Sequence, residues 1–163
     1  MASYGSWKTL QEYGLLGSEA LCDLFEVEAA KRSRLLSSQG RDLEVLTHPK
    51  HGSVTLRDQK VLSEKNLNQC LQGCKPTEWN RILNERVFFW LNRDRLIGFL
   101  SAREYFEKFR TVLELDGPPF VAEYEKQIEL THMNTGNSCP IPHPRSPSTF
   151  KPYLHIHTSS ARG

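Results

Sequence analysis

The first part of the chain has apolar residues at helical spacing. Trp7, Leu10 and Tyr13 are three residues apart, so residues 6–13 are predicted to form a short helix that ends at Gly14. Glycine suits that position because it readily adopts the left-handed conformation in which many helices end.

A longer apolar stripe follows, from Leu21 to Leu36. Ser18 stands before the stripe, where its side chain can cap the first turn of a helix. Residues 37–40 are loop formers that close the stripe at its other end. We therefore predict one long helix between them.

Beyond residue 40 the pattern changes to strands that alternate with helices. Residues 43–47 and 54–56 flank a His51-Gly52-Ser53 turn, which predicts a β-hairpin. The strongest strand signal is the apolar and aromatic run at residues 86–91, which we place centrally in a sheet and bury on both faces. The other predicted elements are helices from Ser63 and from Pro76, a helix over 93–105, a strand over 111–115, a helix over 118–124 and a strand over 127–131.

These elements predict an α+β fold, which we expect to be a single domain over residues 1–153. The length of 163 residues suits one hydrophobic core. From about Asn134 the sequence is rich in Pro, Asn, Ser and Thr and follows neither period. Such a composition predicts a Pro-rich arm, followed by a flexible tail at residues 154–163.

The composition is that of an ordinary folded protein, with 38% hydrophobic and 25% charged residues. The net charge is only +2, so no strong overall field would attract nucleic acid or an anionic membrane. The first ten residues lack a basic and apolar leader, and no apolar run approaches the roughly 20 residues that span a bilayer. We therefore expect a cytoplasmic protein without membrane contact.

The cysteines do not follow the spacing of a zinc site or a redox pair. Cys22, Cys70, Cys74 and Cys139 include no two that are separated by two residues. We predict free thiols and no bound metal. Phosphate-binding, dinucleotide and nucleophile-elbow motifs are absent as well, which disfavours several common enzyme classes.

Two arginines stand next to predicted strands, where ligand-binding groups are common. Arg57, with Asp58 and Gln59, follows the hairpin, and it would either contact a ligand or form a local ion pair. Arg86 precedes the predicted central strand. Its guanidinium suits either a phosphate or carboxylate, or the carbonyl groups at the end of a helix, and both interpretations remain open.

A carboxylate and a polar loop lie together near the end of the last predicted strand. Glu129 could stabilise a developing cation or orient a hydroxyl, although strand alternation also allows a plain solvent-facing residue. The loop that contains Asn134 and Gly136 would allow a ligand close to the backbone, or would be an ordinary turn.

The aromatic and histidine side chains are interpreted as structural. We assign Phe88 and Phe89 to the core, with a stacking wall that includes Trp90 as the alternative. His48 and His51 fall in a loop without an acid or nucleophile at recognisable spacing, so they receive no role.

Four short stretches carry recognisable motifs: residues 7–16 (WKTLQEYGLL), 56–59 (LRDQ), 83–90 (LNERVFFW) and 134–136 (NTG). Together they resemble a bacterial family of small uncharacterised proteins, over most of the chain up to about Tyr153. The opening helix that runs into Gly-Leu-Leu is also similar to compact NAD-using ADP-ribosyltransferase folds, of the DarT type and the RNA 2′-phosphotransferase type.

The second resemblance implies a split, mostly antiparallel sheet with flanking helices that holds NAD as a substrate. It places Gly14 near the nicotinamide, Arg57 and Arg86 at the pyrophosphate, and Asn134 in the lining of the cleft. Glu129 would stabilise an oxocarbenium-like transition state. ADP-ribose would pass to a nucleic-acid or protein acceptor.

The chain departs from those folds at its start. They carry a His or an equivalent polar residue on a strand before the first helix, where this chain has residues 1–5 (MASYG). A second hypothesis is therefore a non-catalytic interaction module. In it, the Pro-rich arm docks a partner or a second copy of the chain as a homodimer.

Overall fold

A computed structural model gives the fold and describes residues 2–3, 7–37, 44–56, 63–101, 109–138 and 141–154. Within these ranges the fold is α+β, as predicted. The helices are α1 (Trp7–Tyr13), α2 (Ser18–Leu24), α3 (Ala29–Ser37), α4 (Glu64–Cys70), α5 (Pro76–Asn84), α6 (Arg93–Leu100) and α7 (Gly117–Tyr124). The strands are β1 (Ala2–Ser3), β2 (Val45–His48), β3 (Gly52–Thr55), β4 (Arg110–Thr111), β5 (Glu129–Leu130) and β6 (Lys151–Pro152).

The strands form separate antiparallel pairs. β1 pairs with β4, β2 with β3, and β5 with β6. The described strands at residues 110–111 and 129–130 are shorter than predicted. No helix in the described ranges has the length and apolar character needed to cross a bilayer.

The chain divides into two compact units. The first unit comprises Met1–Val61 and Asn80–Leu113, and the second comprises Leu62–Trp79 and Glu114–Gly163. The boundary after Trp79 falls within α5. The expectation of a single domain over residues 1–153 stays a prediction.

The first unit has its core between the hairpin and the helices before it. The hairpin prediction is confirmed, with Leu46 opposite Val54 in an antiparallel register, but the turn lies at residues 49–51 and not at residues 51–53 as predicted, since Gly52 and Ser53 pair within β3. Leu46 is buried with Cys22, Phe25 and Leu35, which come from α2, the residue after it and α3. Burial of these apolar side chains fixes the hairpin against the two helices.

The prediction of one long helix over residues 18–36 is wrong, because the chain breaks between α2 and α3. Glu26 adopts a left-handed φ of 50°, and the amide of Val27 donates to the carbonyl of Cys22 at 2.9 Å. This bond closes α2 in the manner of a Schellman motif. The Glu28 carboxylate then accepts hydrogen bonds from two amides in the first turn of α3. Local bonds therefore override the continuous apolar stripe.

The second unit is built around a stacked aromatic pair. Ser63 caps α4 as predicted, since its hydroxyl accepts from the amide of Asn66 at 3.3 Å. The same helix buries Leu67 completely. Trp79 is also fully buried, and its ring stacks on Phe150 with centroids 5.7 Å apart. The stacked pair joins the start of α5 to the C-terminal segment.

Trp79→Phe is expected to change the free energy of unfolding by no more than about 1 kcal/mol. The indole Nε1 of Trp79 is buried without a hydrogen-bond partner among the described residues. Removing an unpaired buried donor recovers about 1–3 kcal/mol, which offsets the loss from the smaller ring. Urea unfolding followed by circular dichroism measures the difference. A loss above about 3 kcal/mol would show that the indole is paired.

The described part of the Pro-rich segment includes residues that are packed into the second unit. Lys151 pairs with Leu130 where β6 meets β5, and a short 3-10 helix over Pro147–Thr149 precedes that pairing. Thr149 and Phe150 are both buried. The segment therefore contributes to the core of this unit.

A buried arginine ties the same segment to the 134–137 turn. Arg145 is only 2% exposed, and its guanidinium donates to the carbonyls of Thr135 (3.1 Å), Asn137 (3.0 Å) and His143 (3.1 Å). Its backbone also donates to the carbonyl of Cys70 at 2.8 Å. Arg145 thus connects α4, the turn and the C-terminal segment through hydrogen bonds.

Candidate functional site

Gly14 ends α1, as predicted. Its amide donates to the carbonyl of Leu10 at 2.9 Å, and its φ of 75° lies in the region that favours glycine. A loop, residues 14–17, leads from there to α2. Gly17 takes the N-cap position that the sequence assigned to Ser18.

The 14–17 loop lies against the end of α5. A Cβ atom at Gly17 would be 3.4 Å from the carbonyl oxygen of Asn84 and 3.6 Å from that of Glu85. These distances are ordinary van der Waals contacts, so the loop packs directly against the helix end. Because Arg86 is the next residue in the chain, the loop and Arg86 belong to one region of the first unit.

Arg86 is half-buried directly after α5. Its Nη1 donates to the carbonyl of Ile82 at 2.6 Å, and it lies 4.0 Å from a carboxylate oxygen of Glu85. Of the two interpretations from the sequence, the bond to a helix C-terminus is therefore present. The alternative role for Arg86, at a phosphate or a carboxylate, stays a prediction.

The prediction of a buried central strand at residues 86–91 is wrong. No strand is present there, and the exposed fractions are 43% for Phe88, 46% for Phe89 and 38% for Trp90. The assignment of Phe88 and Phe89 to the core is wrong for the same reason. The run joins α5 directly to α6, whose first turn is capped by Asn92. We call residues 87–90 the aromatic segment.

The other residues named from the sequence do not all lie in the same unit. Glu129 lies on β5 opposite Pro152 and is exposed. Asn134 is exposed in the turn that follows, where its side-chain oxygen accepts from the amide of Gly136 at 3.1 Å. Both belong to the second unit, whereas Gly14 and Arg86 belong to the first. Arg57 lies outside the described residues, and convergence of the set stays a prediction.

A cluster of ionisable side chains that the sequence interpretation missed lies beside Gly14. The hydroxyl of Tyr13 donates to Glu12 at 2.6 Å and is 2.7 Å from Nδ1 of His51. The His51 ring stacks on His48 with centroids 4.5 Å apart. His48 in turn lies 3.8 Å from the carboxylate of Glu26. We call Glu12, Tyr13 and His51 the relay.

The Glu12 carboxylate affects the chemistry of the tyrosine in this cluster. Its hydrogen bond raises the pKa of Tyr13 above the ordinary value, and burial adds to this effect. The phenol therefore remains protonated at neutral pH. The group in this cluster that suits proton transfer is therefore an imidazole and not a phenolate.

The relay joins residues that are far apart in sequence, which explains why no motif revealed it. Tyr13 and His51 are 38 positions apart, and the two residues meet because the hairpin turn packs against the end of α1. The local signal was limited to His51 in the predicted turn and to His48, which was assigned to a loop but lies at the end of β2. In the described part of the chain, no three His, Cys, Asp or Glu side chains form a group that could hold a metal ion.

Comparisons with known proteins give a family but no activity. The profile of a family of unknown function (DUF7002) matches residues 1–163. Comparisons with curated proteins and with solved structures give no significant match.

Proposed function

The chain belongs to this family of unknown function, and we propose from its own residues that it binds NAD and transfers ADP-ribose to a nucleic-acid or protein acceptor. The observation that carries the proposal is the contact between the 14–17 loop and the end of α5. This contact brings the loop to the helix end that Arg86 and the aromatic segment follow in the chain.

The charge at this site suits a pyrophosphate. Arg86 extends from the end of α5, and its guanidinium can pair with phosphate oxygens through charge-assisted hydrogen bonds. The bond to Ile82 positions the side chain close to the helix end. A negatively charged ligand would therefore meet an arginine that is already oriented.

The aromatic segment supplies surfaces on which flat rings can stack. Phe88, Phe89 and Trp90 each keep more than a third of their surface exposed, and Trp90 lies 5.1 Å from the ring of Phe99. Stacking of a nucleobase on an aromatic side chain contributes about 1–3 kcal/mol per base. These side chains fit the adenine or the nicotinamide ring of NAD.

Glu129 would supply the acid of the reaction. Its exposed position on β5 leaves the carboxylate accessible to a ligand, and a carboxylate stabilises the positive charge that develops on the ribose as nicotinamide leaves. Asn134 and Arg57 are the other residues that the resemblance assigns to the nucleotide.

The interaction-module hypothesis has less support. Its docking arm would use the Pro-rich segment, but Arg145, Thr149 and Phe150 of that segment are buried within the second unit. A segment whose side chains form part of a core has less surface left for a partner.

A thermal-shift titration with NAD tests the proposal. Saturation at about 100 times the dissociation constant should stabilise the native protein by about 2.7 kcal/mol. Arg86→Ala should weaken binding about 10-fold or more, because a hydrogen bond to a charged group contributes about 1.5–3 kcal/mol. For each protein, the melting temperature with NAD is compared with that of the same protein without NAD, because Arg86→Ala also removes the bond to Ile82 and can change the unliganded value.

Arg81→Ala is the matched control. Arg81 lies on the same helix, is exposed, and forms an ion pair with Glu85 at 3.2 Å. Its loss should leave the NAD-induced shift unchanged. The absence of any shift in the unmodified protein at millimolar NAD, or an equal loss in both variants, would contradict the proposed site.

A further inference from the structure

The relay fixes the positions of its protons. A tyrosine hydroxyl carries one proton, and Tyr13 donates it to Glu12. The phenolic oxygen is then only an acceptor toward His51, 2.7 Å away. Nδ1 of His51 must therefore carry the ring proton in the neutral imidazole, and Nε2 is left as the basic nitrogen.

Glu12, Tyr13 and His51 are linked in the same way as a catalytic histidine and the acid that orients it, with a phenol between the two groups. The hydrogen bonds from His51 to Tyr13 and from Tyr13 to Glu12 hold the imidazole ring in one orientation whether or not Nε2 carries a proton. Such an arrangement suits a general base, because it sets both the tautomer and the ring orientation before any proton moves.

His48 supports the ring of His51 from one face. The two imidazoles stack at an interplanar angle of 21°. Nδ1 of His48 accepts from the amide of Lys50 at 3.2 Å, so its own proton lies on Nε2, toward Glu26. Phe25 also packs near both rings, 6.0 Å from His51. Ionisable groups linked to His51 among the described residues include Tyr13, Glu12, His48 and, beyond His48, Glu26.

Tyr13 directly precedes Gly14, so the relay begins where the proposed nucleotide site begins. We propose that His51 is the general base that removes the proton from the acceptor nucleophile, a role that rests on the proposed ADP-ribosyl transfer. The acceptor would then be a neutral O–H or N–H group rather than a carboxylate or phosphate.

The step balances without a further reactant. The bond between the anomeric carbon of the ribose and the nicotinamide nitrogen breaks, and its electron pair leaves with nicotinamide. The acceptor oxygen or nitrogen forms a bond to the same carbon, and its proton passes to Nε2 of His51. Solvent later takes that proton from the imidazolium.

His51→Asn is the sharpest test, because the Asn amide nitrogen occupies the place of Nδ1 and can still donate to Tyr13. Cleavage of NAD by water or methanol, both neutral nucleophiles, should fall about 100-fold, while NAD affinity by thermal shift stays unchanged. Azide, an anion that needs no base, should restore cleavage and yield ADP-ribosyl azide. The control is His143→Asn, an exposed histidine of the second unit, which should behave as the unmodified protein.

Nitrogen-15 NMR of the imidazoles provides a readout that does not depend on turnover. The neutral His51 ring should carry its proton on Nδ1, and Tyr13→Phe should abolish that preference. A proton on Nε2, full activity of His51→Asn, or failure of azide to restore cleavage would overturn the assignment of the base. If the unmodified protein binds no NAD, both the proposed function and the role of His51 in that function are wrong. The measured tautomer of His51 still shows in that case whether the relay exists.

Discussion

Glu129→Gln is expected to lower NAD-dependent ADP-ribosyl transfer about 10³-fold and to leave NAD affinity unchanged. The amide has the size of the carboxylate but no charge, so it loses only the stabilisation of the cationic transition state. Release of nicotinamide, measured by chromatography under saturating NAD, gives the rate. Thermal shift with NAD gives the affinity of the same preparations.

The control for this variant is Glu114→Gln. Glu114 is also an exposed carboxylate of the second unit, and its neutralisation should change neither the rate nor the affinity. Equal rates for Glu129→Gln and the unmodified protein would remove Glu129 from the reaction. A parallel loss of affinity would assign it to binding instead.

Arg145→Met is expected to lower the free energy of unfolding of the second unit by about 4 kcal/mol. The substitution removes the guanidinium donors of three carbonyls, those of Thr135, Asn137 and His143. The bond to Thr135 is buried and the other two are partly buried, and a buried acceptor that loses its partner costs about 1–3 kcal/mol. The hydrophobic gain from Met offsets only part of this loss.

Hydrogen exchange measures the loss of stability separately in each unit. The amide of Gln72, which donates to the Arg145 carbonyl at 2.8 Å, should exchange much faster in Arg145→Met, whereas amides of β2 and β3 should not. Lys151→Met is the matched control, because Lys151 is an exposed cation in the same segment. Similar protection of Gln72 in both variants would contradict the account of Arg145.

Features encoded by neighbouring residues were predictable from the sequence. Gly14 ends α1, Ser63 caps α4, and the hairpin turns before Gly52, because each depends on bonds within a few positions. The helix break at Glu26 was missed although its bonds are also local. A non-glycine residue in the left-handed region gives no sequence signal of the kind that Gly14 provides.

Features that depend on partners distant in sequence were not predictable. The apolar run at residues 86–91 has the composition of a buried strand, but a strand needs a neighbour to pair with, and none pairs with it among the described residues. The burial of Arg145 depends on carbonyls of the 134–137 turn, and the relay depends on a hairpin that packs against α1. Neither contact leaves a pattern in the residues that surround it.

Binding of NAD to the first unit is tested by titrating the nitrogen-15-labelled protein with NAD and following the backbone amide shifts. Amides of the 14–17 loop, Arg86 and the aromatic segment should shift together with one dissociation constant. Spectra that stay unchanged at millimolar NAD, or shifts confined to the second unit, would contradict it.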